Sequence, residues 1–311
     1  MAGRARRMLA PWLLASVALA AAGPAVAVTG GYSVDEVLAT DAPVTGGSSL
    51  TDVAQLLRRS TVQVEAIDEG GRVAHACTGV IVHPSVVMTA AHCLYGDGGR
   101  RLRVRVPVPV PGTARPAWRE SVDDAIHPRF ARIFDTVGLR PRAGEDVGRY
   151  LRRRGGFAQS DLALVLLHRP VPDGFAKAPL VSPGFRDSLA TPRVIAGFGL
   201  ADGRDAGSAG SLRFAEVRVA AGTEEGSGAA LVIEARSGRR GRVTGCRGDS
   251  GGPLLVAPSA GRWQVAGIQS AGDENCREVA LLVDIDAERS ALRALFRQLT
   301  AGTPAEVGNP F

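Results

Sequence analysis

The stretch "TGCRGDSGGP", residues 244 to 253, sets a serine between an acid and two glycines. A serine hydroxyl is a weak nucleophile unless a neighbouring base accepts its proton and a third group orients that base. Ser250 is therefore a candidate nucleophile only if the chain also supplies an immobilised histidine and an acid. Taken alone, the same residues are ordinary material for a glycine-rich turn between strands.

Two further segments supply a histidine and an acid. His92 ends the segment "TAAHC" after an apolar run and is followed at once by Cys93, whereas Asp161 directly precedes the apolar run "LALVLL". An acid in that position either caps a turn or accepts a hydrogen bond from an imidazole, and the local sequence leaves both open. The remaining four histidines are interpreted as structural: His75, His83, His127 and His168.

Glycines around the candidate serine bear on how a transition state would be stabilised. Gly248, Gly251 and Gly252 allow the backbone to turn sharply around Ser250. The amides of Gly248 and Ser250 could then converge on a developing oxyanion, and each such donor contributes about 3 kcal/mol.

The elements that must position these residues are mainly short strands. From Thr61 onward about ten β-branched or alternating runs, among them "TVQVEAI", "DLALVLL" and "RVIAGFG", are separated by Gly, Pro and Asp turns. This pattern predicts an all-β barrel or sandwich rather than alternating β and α units. One amphipathic helix is predicted in "DAERSALRALFRQLT", with Leu292, Leu295, Phe296 and Leu299 on one face.

In order along the chain, "TAAHC", "DLALVLL" and "GDSGGP" resemble the motifs of the trypsin-like (chymotrypsin-fold) serine endopeptidases, over residues from about 61 to 300. The order His, Asp, Ser is that of this family and differs from that of the subtilisins and α/β-hydrolases. The resemblance implies an all-β fold of two antiparallel β-barrels of chymotrypsin type with a C-terminal helix. It also implies that the active site lies between the barrels.

The same resemblance assigns roles to the candidate residues. It makes His92 the general base, Asp161 the group that orients it, and Ser250 the residue that forms the acyl-enzyme. The backbone amides of Gly248 and Ser250 would form the oxyanion hole. The implied activity is that of a serine endopeptidase, which needs neither a metal nor a cofactor.

The chain holds four cysteines, at positions 77, 93, 246 and 276. An even number permits two disulfides in an oxidising compartment, in three pairings, and the grouping favours two local pairs. The four cysteines include no CxxC pair, which is the spacing that would indicate a metal site. By the resemblance, Cys77 pairs with Cys93 beside the histidine, and Cys246 pairs with Cys276 beside the specificity pocket.

The resemblance also places the specificity pocket, with its floor at Thr244 and its wall at Ser270 and Gly272. A trypsin has an acid at the floor, so Thr244 removes the implied preference for Arg or Lys. Ala271 stands where family members commonly have an aromatic residue. We expect a mostly neutral pocket for small or medium apolar side chains. Three nearby acids could still supply charge: Asp273, Glu274 and Glu278.

Residues 1–27 have the anatomy of a signal peptide, with a basic front, an apolar stretch and a small-residue exit. An uncleaved anchor is the alternative, which prolines in the segment disfavour. We therefore expect a secreted or periplasmic protein without a stable membrane anchor. Residues 28–60 are interpreted as an N-terminal arm or pro-segment, residues 61–300 as the protease domain, and residues 301–311 as a tail.

Family zymogens mature when a new N-terminal Ile or Val inserts and its ammonium pairs with the acid before the serine, here Asp249. The motif "VTGG" occurs at Val28 and at Val44. Cleavage after Ala27 would expose Val28 directly, whereas Val44 fits the family's spacing to Cys77 better. Both stay candidates for the mature N-terminus.

Charge and spacing limit the partners. The formal net charge of +6 falls to +3 without the three arginines of the leader, which is too mild to indicate nucleic acid. We expect protein or peptide substrates and a monomer.

The interval between His92 and Asp161 is longer than usual for the family, and we hypothesise that residues 131–156 restrict which proteins dock. The alternative function is an inactive or zymogen-locked protease-like binding protein.

Overall fold

The computed structural model describes the chain in ranges separated by gaps: 31–40, 49–96, 100–109, 113, 116–137, 156–186, 191–203, 205–220, 230–234, 236–238, 241–257, 262–273, 275–301 and 309–311. The expected leader, both candidate N-termini (Val28 and Val44), Glu274 and residues 138–155 of the long insertion lie outside these ranges.

Strands dominate the described residues. In chain order they are β1 (Tyr32–Ser33), β2 (Thr61–Ile67), β3 (Val73–His83), β4 (Val86–Thr89), β5 (Arg103–Val108), β6 (Ala117–Ile126), β7 (Ala163–Leu167), β8 (Arg193–Gly197), β9 (Arg213–Val219), β10 (Leu231–Glu234), β11 (Arg236–Gly238), β12 (Gly241–Val243), β13 (Pro253–Val256), β14 (Gln264–Gly272) and β15 (Val279–Asp284). The helices are α1 (Val34–Thr40), α2 (Leu50–Ser60), α3 (Pro128–Val137) and α4 (Arg289–Thr300).

The first barrel closes in the order β2-β3-β4-β7-β6-β5. Strand β5 pairs back onto β2 at Glu65 and Arg105, so the sheet has no free edge there. Alternate residues of β2, namely Val62, Val64 and Ala66, are buried in the barrel interior. This is the period of two that strand geometry requires.

The second barrel follows the order β9-β10-β15-β14-β13-β8 and closes through pairing of β8 with β9. The short β1 extends this barrel, because Tyr32 pairs with Phe214 and Ser33 with Arg213 of β9. The prediction of two antiparallel barrels with a C-terminal helix is therefore confirmed.

Helix α4 carries the apolar face that its sequence predicts. Its buried residues include Leu292, Leu295, Phe296 and Leu299. The helix packs against β6 and β7 of the first barrel. At its start, Glu288 Oε2 lies 3.1 Å from Nε2 of the buried His127. The C-terminal helix thus connects the end of the second barrel to the first.

The described part of the N-terminal arm forms two helices, α1 and α2, that contribute to the core. Ser49 caps α2 by accepting a hydrogen bond from the Thr51 amide at 3.0 Å. Val34 and Val37 of α1 and Leu57 of α2 are buried in the largest apolar cluster. The short apolar pattern of this arm did not predict such a role.

The described end of the tail also packs onto the domain. Phe311 is buried, with its ring 6.1 Å from that of Phe296. The Arg293 side chain donates to the Phe311 carbonyl at 2.8 Å. Among the described helices, none has both the length and the hydropathy needed to cross a membrane.

We predict that Leu57→Ala lowers the free energy of unfolding by about 2 to 5 kcal/mol, because it removes a fully buried side chain of α2. Gln55→Ala, on the exposed face of the same helix, should change it by no more than about 0.5 kcal/mol. Denaturant unfolding with the disulfides intact measures both. Equally small effects would contradict a core role for the arm.

Candidate active site

His92 is fixed by two contacts with one carboxylate. It lies on the short 3-10 helix Ala91–Leu94 that follows β4. Its backbone N–H donates to Asp161 Oδ1 at 2.9 Å, and its ring Nδ1 lies 2.7 Å from Asp161 Oδ2. Because a carboxylate only accepts, Nδ1 carries a proton, and Nε2 is the ring nitrogen left to exchange a proton with another group. The His92 side chain is 21% exposed, so the imidazole is held on one side and reachable on the other.

Asp161 is fully buried just before β7, and the pairing of Thr89 with Ala163 brings it beside the end of β4. Besides the two contacts with His92, its Oδ2 accepts a hydrogen bond of 2.6 Å from Ser270 Oγ. Three donors offset the desolvation of a buried carboxylate. Ser270 was predicted only as part of the pocket wall, and the structure shows that its hydroxyl also binds the Asp161 carboxylate.

Ser250 lies between β12 and β13, and its side chain contacts Ser270, the residue that also bonds to Asp161. Its hydroxyl donates to the Ser270 carbonyl at 3.5 Å and makes no hydrogen bond to His92 in this structure. Cys93 Sγ lies 3.9 Å from His92 Nε2 and 3.8 Å from the Ser250 carbonyl oxygen. Ser270 thus bonds to both Asp161 and Ser250, and Cys93 lies against both His92 and Ser250.

The two disulfides join Cys77 to Cys93 and Cys246 to Cys276, which are the pairings that the resemblance implies. The sulfurs of Cys77 and Cys93 lie close to the His92 ring. Since both sulfurs belong to a disulfide, neither is a thiolate that would bind a metal ion.

The loop of residues 244–252, here called the serine loop, is held by Thr78 of the first barrel, a residue that sequence reasoning missed. Thr78 of β3 donates from its amide to the Ser250 carbonyl at 2.8 Å, and from its hydroxyl to the Gly248 carbonyl at 2.8 Å. The same hydroxyl accepts from the Phe198 amide at 3.0 Å. Nothing in the local sequence of Thr78 marks these contacts, because they join residues 120 to 172 positions apart.

Two glycines of the loop are required for different reasons, one for backbone conformation and one also for space. Gly248 and Gly251 adopt positive φ values of 94° and 83°, which a side chain disfavours. A Cβ at Gly251 would also lie only 2.1 Å from the Thr78 carbonyl oxygen. Among the described residues, neither the Gly248 amide nor the Ser250 amide donates to another protein group. Both amides are therefore available to an oxyanion.

Asp249 is a second buried acid, with a different environment. It is 1% exposed, and its carboxylate accepts from the amides of Gly199 and Cys246 at 2.9 and 2.8 Å. Burial raises the pKa of Asp249 from 3.8 to about 7, against the opposing effect of the two amides and of Arg213. In the part of the chain that the structure describes, no cation forms an ion pair with it.

The first described residues of the chain lie near this acid. Ser33 pairs with Arg213 of β9, and Arg213 pairs with Gly197 of β8. Gly197 touches the carboxylate, since a Cβ there would lie 2.2 Å from Asp249 Oδ1. The segment that follows "VTGG" at Val28 is thus paired two strands away from Asp249.

The expected pocket residues come together on two facing segments. Thr244 is fully buried next to Gly245, and a Cβ at Gly272 would lie 3.5 Å from the Gly245 carbonyl oxygen. Gln269, which sequence reasoning did not select, is also buried, with its side chain against Gly245. Only its place immediately before Ser270 could have indicated it.

We predict that Gly251→Ala destabilises the fold much more than Gly174→Ala. Both glycines have positive φ, so both variants carry left-handed strain of about 1 to 2 kcal/mol. Only at position 251 does the new Cβ also collide with backbone, because Gly174 has no atom within 4 Å of its Cβ position. The difference between the two unfolding free energies measures the collision, and equal losses would contradict it.

Comparisons with known proteins agree with this architecture. A solved structure described as that of HBP at atomic resolution is 17% identical, with a TM-score of 0.54, and the match covers 78% of this chain and 93% of that chain. At that identity the likeness shows the fold alone. The family model described as Trypsin matches residues 54–287, which is more than half of the chain. The chain therefore belongs to the trypsin family.

Proposed function

We propose that this chain is an exported serine endopeptidase that cleaves peptide bonds through an acyl-enzyme and is not strictly trypsin-specific. The observation that carries the proposal is the His92–Asp161 pair, in which a buried carboxylate holds Nδ1 of the imidazole and leaves Nε2 on the other side of the ring. Cys93 Sγ lies 3.9 Å from this Nε2 and 3.8 Å from the Ser250 carbonyl oxygen, so the two residues share one neighbour. That arrangement is what a serine needs in order to lose its proton during attack.

In the proposed reaction, the Ser250 hydroxyl turns from the Ser270 carbonyl toward His92 when substrate binds. Such catalytic hydrogen bonds often align only in the substrate complex. Ser250 Oγ attacks the carbonyl carbon, and its proton passes to His92 Nε2. The amides of Gly248 and Ser250 bind the oxyanion. His92 then protonates the leaving amine, and a water activated by His92 hydrolyses the acyl-enzyme.

The setting of the enzyme follows from the same residues. Two disulfides favour an oxidising compartment, in keeping with the proposed leader at 1–27 and a secreted or periplasmic location. The proposed partners are protein or peptide substrates of a monomer, not nucleic acid. A pocket with Thr244 at its floor does not offer the charge that a trypsin uses.

The alternative is a protease-like binding protein that is inactive or locked as a zymogen. Two observations favour it: the Ser250 hydroxyl donates to the Ser270 carbonyl, and Asp249 has no ion-pair partner among the described residues. We favour catalysis because Asp161 binds both the backbone and the ring of His92 and is held from the other side by Ser270, an orientation that a docking scaffold does not need.

We further propose that the mature chain begins at Val28 and that its ammonium pairs with Asp249. Cleavage before Val44 would detach β1 and α1 from the chain, although Val34 and Val37 are buried in the main cluster. Cleavage after Ala27 keeps both elements and leaves Val28 four residues before Tyr32, which is paired with β9. Signal cleavage alone would then produce the active form.

We predict that a fluorophosphonate labels the exported protein and that Ser250→Ala abolishes labelling. Asp161→Asn should lower kcat about 10⁴-fold, because the amide no longer holds the imidazole in the required tautomer. The exposed Ser211→Ala is the matched control and should label like the parent. A folded, correctly processed protein that never labels would favour the binding protein.

We predict that stability depends on pH differently in the Val28 form and in a form that keeps Ala27. Without the Val28 ammonium beside it, Asp249 has a pKa of about 7 in the folded protein and 3.8 in the unfolded chain. The loss of folding stability caused by its burial is therefore absent below pH 3.8 and complete above about pH 7. The extended form should thus lose on the order of 4 kcal/mol across that window. In the Val28 form the ammonium compensates the carboxylate, and this loss should disappear.

Unfolding free energies of both forms between pH 4 and 8 test this, with Asp249→Asn as the control that removes the titrating group. N-terminal sequencing of the exported protein should give Val28. Identical pH profiles for the two forms, or a mature protein that begins at Val44, would overturn the assignment.

A further inference from the structure

A groove with a volume of about 330 Å³ lies where helix α4 meets the segment that joins the two barrels. Its described lining residues come from 177–183 of this segment, from Arg289 and Arg293 of α4, and from Pro310 and Phe311. None of them belongs to the candidate active site. Pockets that bind small molecules have volumes from about 300 Å³ upward, so the groove has room for a small ligand.

The lining of the groove is positively charged. It includes Lys177, Arg289 and Arg293, whereas no Asp or Glu side chain is among the described lining residues. Asp286 compensates Arg289, since its Oδ1 lies 3.1 Å from Arg289 Nε. Lys177 is exposed and forms no ion pair with another described residue. A charged main-chain carboxyl group at Phe311 would balance Arg293 and still leave Lys177 without a counter-charge.

Arg289 is a buried cation whose guanidinium is only partly occupied. The residue is 7% exposed. Its Nε donates to Asp286 Oδ1, and its Nη2 donates to the Val181 carbonyl. Within the described ranges, Nη1 has no hydrogen-bond partner. Because buried polar groups are nearly always paired in folded proteins, this donor at the groove calls for a partner.

Arg293 lies one helical turn after Arg289, so the two side chains share a face of α4. Its Nε donates to the Phe311 carbonyl at 2.8 Å, and neither of its Nη atoms bonds to another residue that the structure describes. Two guanidinium groups on one helix face therefore keep N–H donors for a ligand in the groove.

Most of the remaining lining is apolar and held in place. It includes Leu180, Val181 and Phe311. The Val181 amide donates to the Val265 carbonyl at 3.1 Å, which fixes the joining segment to the second barrel. The Phe311 ring lies 6.1 Å from that of Phe296 on α4. The apolar part of the groove is thus formed before any ligand enters, which lowers the entropic cost of binding.

These features together select the chemical class of the ligand. A neutral apolar molecule would leave Arg289 Nη1 without a partner. A cation would be repelled by Lys177 and Arg293, and a bare inorganic anion would gain nothing from the apolar lining. The Asp286 carboxylate beside Arg289 repels a doubly charged head group more than a singly charged one.

We propose that the groove binds a small amphipathic carboxylate, with its head group at Arg289, Arg293 and Lys177 and its apolar body against Leu180 and Phe311. The two oxygens of a carboxylate accept hydrogen bonds in the geometry that guanidinium groups offer. The bound molecule connects the segment between the barrels to α4.

The test uses octanoate as the probe, titrated calorimetrically into the full chain at about 0.15 M salt, where distant charges are screened. We expect one octanoate to bind per chain, at least about tenfold more tightly than 1-octanol, which lacks the charge. Inorganic phosphate, which lacks the apolar body, should bind at least about tenfold more weakly than octanoate. Absence of saturable octanoate binding, or equal affinity for either comparison compound, would overturn the proposal.

Variants of the cations assign the binding to this groove. Arg289→Met removes the buried guanidinium and should raise the Kd for octanoate at least about tenfold. Lys177→Met, at an exposed position, should raise it about two- to fivefold. Arg297→Met is the matched control and should leave the Kd unchanged, because Arg297 is exposed on the same helix and is not among the lining residues.

Because Arg289 also bonds to Asp286 and Val181, thermal unfolding first checks that Arg289→Met is folded. If it is not, Arg293→Met replaces it, with the same expected rise in Kd. Octanoate binding that is unchanged in Lys177→Met and in the arginine variant that folds would place the ligand elsewhere and overturn the site.

Discussion

The hydrogen bonds of Thr78 are the constraint on which the serine loop depends. This fully buried residue uses its amide and its hydroxyl to hold the loop at Ser250 and Gly248, and the hydroxyl also accepts from Phe198. Its carbonyl accepts from Thr89 Oγ1 at 2.7 Å. A loop with two residues at positive φ has no ladder of its own to stabilise it. The first barrel therefore provides the rigidity that the proposed nucleophile, Ser250, needs.

Two buried acids, Asp161 beside this loop and Asp249 within it, are stabilised to different degrees. Asp161 accepts three hydrogen bonds, one of them from an imidazole that can become cationic. Among the described residues, Asp249 accepts hydrogen bonds from two backbone amides alone, and burial raises its pKa to about 7. The first site is complete as it stands. The second is compensated only in part, as expected of a carboxylate whose proposed partner is created by processing.

Much of the architecture could be predicted from local patterns, and the remainder depends on contacts far apart in sequence. Alternation in β2 and the apolar face of α4 are local signals, and both elements form as predicted. Strand β6 was missed because its burial is low, with only Ala125 fully buried. The hydrogen bonds that join Gln269 to Ala196, and Thr78 to Phe198, Gly248 and Ser250, span 73 to 172 positions, and a single sequence carries no local signal of them.

Gln269 connects segments on both sides of the loop that holds Ser250. Its backbone bonds to Gly251 and Gly252 hold the segment that follows the serine, while its side chain reaches from Ala196 to Gly245, which precedes the serine. Because one buried residue contacts the chain before and after Ser250, the two halves of the loop keep one arrangement relative to each other. A fixed arrangement of this kind is what the proposed nucleophile needs in order to attack without first being ordered.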